Sequence, residues 1–120
     1  MAFDARLAER VLELVGELDG VTEIKLFGAW GFTIRGNMAA GVMKDELIVR
    51  VGPAAFDAAL ATRGARVFDF TGRPSKGWVY VERTVITRKP ALRAWVDRGV
   101  SYAQSLPPKT AKPRRRRAAP

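Results

Sequence analysis

Residues 22–52 read TEIKLFGAWGFTIRGNMAAGVMKDELIVRVG, and this stretch decides the fold. At its start Ile24 and Leu26 alternate with Glu23 and Lys25, the period-two pattern of a strand with one wetted face. Gly28 to Gly31 predicts a turn. Phe32 to Arg35 and Met38 to Met43 predict two further strands, and Gly36-Asn37 between them readily takes the positive φ of a tight hairpin. Lys44-Asp45 predicts the next turn, and Glu46 to Val51 a fourth strand ended by Gly52-Pro53. Strands joined by turns this short are antiparallel.

Outward from this run the period changes. Upstream, Phe3, Leu7, Val11, Leu14, Val15 and Leu18 recur at helical spacing opposite Arg6, Glu9, Arg10, Glu13 and Glu17. They predict an amphipathic helix over 4–18, capped by Asp4 and stopped by Gly20. Downstream, Pro53 fits the first position of a short helix over 53–62, with Phe56 and Leu60 facing inward and Gly64 ending it. Val67, Phe68 and Phe70 suggest a short extended segment leading into a polar loop, Thr71 to Lys76. Trp78 to Glu82 is the next strand. It is apolar on both faces, which fits an interior place in the sheet or an aromatic face covered by a partner. Leu92, Trp95, Val96, Gly99, Val100 and Ala103 form the stripe of a last helix from Pro90 to Ser105, which Pro107-Pro108 cannot continue. A glycine inside a helix costs about 1 kcal/mol relative to alanine, so Gly99 points to a close approach. The order predicts an α+β fold of two layers, an antiparallel sheet of about five to six strands with helices on one side.

The chain has 120 residues, of which 48% are apolar, enough for one core. Residues 1–106 read as the domain and 107–120 as a basic tail. The tail has no large apolar residue to offset its ordering entropy and is expected to be disordered. Formal charge is +9, but the tail carries six cations and no acid, which leaves +3 for the body. The sequence contains no Cys and no His, which excludes disulfides, Cys/His zinc sites and a Ser-His triad. No apolar run approaches the roughly 20 residues of a membrane span. Asp4, Arg6, Glu9 and Arg10 break up any secretory signal, so cytoplasmic residence and no membrane partner are expected.

Enzymatic and cofactor readings find little support. Gly28-Ala29-Trp30-Gly31 lacks the third glycine of a dinucleotide fingerprint and joins strand to strand. Gly72 to Gly77 has the glycine spacing of a phosphate loop, yet Trp78 stands where lysine is needed and a strand follows. Asp45-Glu46 reads as a solvated turn, and Ser75-Lys76 has no identifiable oxyanion hole. What remains is a candidate anion-binding loop at Arg73 and Lys76, against the alternative of a tight loop made soluble by its charges. Trp30 reads as core, with an exposed stacking role as the alternative. No catalytic residue, cofactor or metal is expected. In the tail, Lys109, Lys112, Arg114, Arg115, Arg116 and Arg117 are candidate nucleic-acid contacts, binding DNA or RNA phosphates by counterion release without reading sequence. The alternative role for those charges is solubility.

Several segments carry a family resemblance. Lys25-Leu26-Phe27-Gly28-Ala29-Trp30-Gly31-Phe32, Gly36-Asn37-Met38 and Asp45 to Gly52 resemble the N-terminal domain of the TfoX/Sxy family. Asp69 to Pro74, Lys76 to Val79 and Ser105 to Lys109 resemble its small single-domain branch. Ala29 and Leu26 depart from the Gly and Met of the family pattern. The resemblance implies a two-layer α+β domain, and regulators of competence acting in transcription as relatives, which carry a second domain where this sequence has its tail. It places no catalytic residue here. Two functions are expected from residues and resemblance together. One is a non-enzymatic regulatory or adaptor domain associated with nucleic acid through the tail. The other is a protein-interaction module that binds itself or a transcription-related protein.

Overall fold

The structure, a computed structural model, describes residues 3–26, 28–69 and 76–108. Helix α1 (Ala5–Val15) begins where expected, because the Asp4 carboxylate accepts from the Arg6 and Leu7 N–H groups at 2.9 and 3.2 Å. It stops at Gly16, four residues earlier than Gly20, which instead takes φ +82° to turn the chain into the sheet. Strands β1 (Val21–Leu26), β2 (Ala29–Ile34), β3 (Asn37–Met43) and β4 (Glu46–Arg50) follow as a meander. Then come α2 (Phe56–Leu60), β5 (Ala65–Val67), β6 (Trp78–Val81), α3 (Arg83–Ile86) and α4 (Lys89–Ser105).

The six strands form one antiparallel sheet in the order β1-β2-β3-β4-β6-β5. β6 therefore lies inside the sheet, the first of the two positions its apolar faces allowed. Other boundaries differ from expectation. Of the predicted turn over 28–31 only Gly28 precedes β2, which already begins at Ala29 and contains Gly31. In the next hairpin the positive φ angles belong to Arg35 (52°) and Gly36 (86°), not to Asn37. Asn37 opens β3, and its buried side-chain amide donates to the Pro107 carbonyl at 2.9 Å. Pro53 stands in a turn ahead of α2 rather than at its first position, so the helix is shorter than 53–62.

All the long helix packing falls on one side. Phe32, Val42, Leu47 and Val49 lie on the face packed by α1 and α4, and Val79 and Val81 lie on the same face where α2 meets β6; Val11, Val15, Leu92 and Val96 are fully buried there. Between the pairs Phe32↔Ala40 and Thr33↔Met38, β3 holds one extra residue, Ala39, in a bulge. A methyl group placed on Gly99 would land on the Ala39 carbonyl and close to Val49, so the missing side chain lets α4 sit directly on the bulge.

A candidate interaction surface on the open face of the sheet

One register row crosses all six strands: Ile24, Gly31, Gly41, Ile48, Tyr80 and Arg66 are successive Cα partners. Paired residues point the same way, and this row points away from the helices. Its middle is a pair of glycines. A Cβ at Gly41 would come within 2.5 Å of the Trp30 carbonyl oxygen, and one at Gly31 within 3.1 Å of the Met38 methyl. Two adjacent strands thus lack side chains at the same level. The result is an apolar groove of about 220 Å³ lined by Ile24, Met38, Met43, Ile48, Phe68 and Trp78 above the two glycines.

Aromatic rings close one end of the groove. Phe68 packs against Tyr80 and Trp78 with ring centroids 4.9 and 5.9 Å apart. The Tyr80 hydroxyl donates to the Met43 sulfur at 3.6 Å. Beyond it the Arg66 guanidinium lies 4.6 Å from the centre of the Tyr80 ring and makes a two-pronged bond to Glu46, both arms 2.6 Å. That bond raises Arg66 above its already high pKa. Tyr80 is also raised, chiefly by burial and then by the negative charges of Asp69 and Glu46, with Arg66 opposing. Glu46 is therefore an ion-pair partner in a strand, not merely part of the solvated turn expected at Asp45-Glu46.

At the opposite corner Arg50 lies 5.6 Å from the Trp78 ring and 5.3 Å from the Tyr102 ring. Among the described residues it has no carboxylate partner. Lys76 is exposed two residues before Trp78, while its expected companion Arg73 lies outside the described residues. The same holds for Lys109, Lys112, Arg114, Arg115, Arg116 and Arg117. Trp30 is 4% exposed, as a core residue should be, and its indole N–H donates to Glu23 at 2.9 Å. Sequence reasoning missed Arg50, the Glu46–Arg66 pair and the glycine seam. Only part of the signal for the seam was present: Ile24, Gly31, Gly41 and Ile48 occupy the strand parity opposite Phe32, Val42 and Val49, which gives a shared face but not the pairing of the two glycines.

Fold and surface together define the class: a two-layer α+β domain whose sheet is packed by helices on one face and left open and apolar on the other. The TfoX N-terminal domain model matches residues 13–103, and the chain belongs to that family. Membership points to a domain of regulatory or adaptor type. Comparison with curated proteins and with solved structures found no match. Among the described residues no helix is long and apolar enough to cross a membrane.

Proposed function

We propose that this chain is a non-catalytic cytoplasmic adaptor that holds a protein partner on the open face of its sheet. The partner presents one large apolar side chain flanked by carboxylates. The glycine-floored groove is the observation that carries this reading: its volume suits a leucine or phenylalanine side chain, and two flexible methionines line it. Arg50, which has no carboxylate partner among the described residues, and exposed Lys76 supply the complementary charge at the rim. A transcription-related protein is the partner class suggested by the family's regulators. The test is selection of a random peptide library displayed on phage against the full chain. Enriched peptides should share an apolar residue beside Asp or Glu, and Met38→Glu should abolish their binding while the thermal midpoint holds. Binding that survives Met38→Glu, or enrichment without that pattern, refutes the proposal.

A second activity is supported by the tail. Its six cations bind nucleic-acid phosphates without sequence preference, tethering the adaptor near DNA or RNA.

A further inference from the structure

The two edges of the sheet are unlike. β5 is three residues long, and its Arg66 is committed to Glu46, whereas β1 runs six residues in unbroken register with β2 and contains no proline. The backbone polar groups on the outer side of β1 can be assigned. The Arg35 N–H donates to the Gly20 carbonyl at 2.9 Å, one step beyond the pair Val21↔Ile34. Antiparallel pairs alternate between bonded and non-bonded, so Thr22, Ile24 and Leu26 bond to β2. The N–H and C=O groups of Val21, Glu23 and Lys25 therefore point outward and have no backbone partner among the described residues, a template for another strand.

The side chains choose which strand fits. If a second copy of β1 approaches antiparallel, its outward groups must meet outward groups. Four centred registers that overlap three or more residues of β1 satisfy this: Glu23 against Glu23, Lys25 against Lys25, Glu23 against Lys25, or Val21 against Glu23. The first two place like charges opposite one another, which is destabilising, the third overlaps five residues and places opposite charges together twice, and the fourth overlaps three and sets an apolar side chain against a charge. Glu23 is already oriented by the Trp30 indole through one carboxylate oxygen, which leaves the other free, and Lys25 has no ion pair among the described residues. The third register centres on Ile24, which lines the groove, so it also brings the apolar faces of the two copies side by side.

We propose that two copies of this chain pair through antiparallel β1 edges about Ile24, with Glu23 of each copy opposite Lys25 of the other, forming one continuous twelve-stranded sheet. The proposal stands apart from the peptide groove, which each copy would keep. Sedimentation velocity on the full chain across a concentration series tests it, with wild type, Glu23→Lys, Lys25→Glu and the double reversal compared. The wild type should be a dimer at micromolar concentration. Each single reversal should raise the dimer Kd about tenfold, and the double reversal should restore it. Lys25→Glu leaves the Trp30–Glu23 bond untouched, so its effect is free of that contact, and thermal melts confirm that each variant folds. A wild-type monomer throughout, a dimer indifferent to Lys25→Glu, or a double reversal as weak as the singles overturns the proposal.

Discussion

Gly99 and Gly41 serve opposite faces of the same region of β3. Gly99 lets a helix touch the bulge at Ala39, and Gly41 opens the floor of the groove beneath the Trp30 carbonyl. Gly99→Ala should lower stability by about 1–3 kcal/mol in urea denaturation, because overpacking against backbone outweighs the helix propensity gained. A stabilised variant would mean that α4 sits clear of the sheet. Gly99 was legible in the sequence because it interrupts an apolar helical stripe. Gly41 was not, because its constraint comes from a carbonyl eleven residues back that only the strand register brings near. Tyr80 gives a pH prediction at this scale. Its pKa is raised, so the folded state holds the phenolic proton more tightly than the unfolded chain does. That contribution is complete below about pH 10 and is lost as pH rises beyond it. Tyr80→Phe should therefore make the alkaline decline in urea stability shallower, and an identical decline in both proteins would contradict the assignment.

Elements long enough to show a period were readable, the short α2 and β5 were found through their flanking Gly and Pro signals, and the shortest helix was missed. α1, α4 and the four-strand meander followed from apolar spacing, while α3 spans four residues and offers no period to detect. The hairpin between β2 and β3 was foreseen, but its turn lies one residue earlier because Asn37 is held in β3 by burial and by Pro107. α1 depends on its cap. Asp4→Ala should cost about 1 kcal/mol, read as a lower thermal midpoint by circular dichroism, because two N–H groups of the first turn lose their acceptor. An unchanged midpoint would show that water replaces the carboxylate at no cost.

Across the whole molecule, helices cover one face of the sheet, and the other stands open around an apolar groove. The sequence showed the aromatic content of β6 but could not show that Gly31 meets Gly41, since pairing between strands is a property of register. It also could not show that Asn37 in β3 holds the Pro107 carbonyl. A chain cut after Pro108 keeps that bond. Fluorescence anisotropy with labelled duplex DNA should give a logarithmic salt slope approaching roughly −5 for the full chain if all six cations engage, and a slope near zero for the cut chain. Equal slopes would place the phosphate contacts on the folded body instead.

The most direct test of the open face uses the methionines, since Met38 and Met43 line the groove and Met1 lies elsewhere in the sequence. The full chain, carbon-13 labelled at its methionine methyls, is titrated with anilinonaphthalene sulfonate, a probe that joins an apolar ring system to an anion. Saturable shifts of the Met38 and Met43 methyls, with Met1 unmoved and the shifts weakened by Arg50→Ala, are the predicted result. Dye binding that leaves both groove methyls in place, or no saturable binding, would contradict the claim that this face is built to receive a partner.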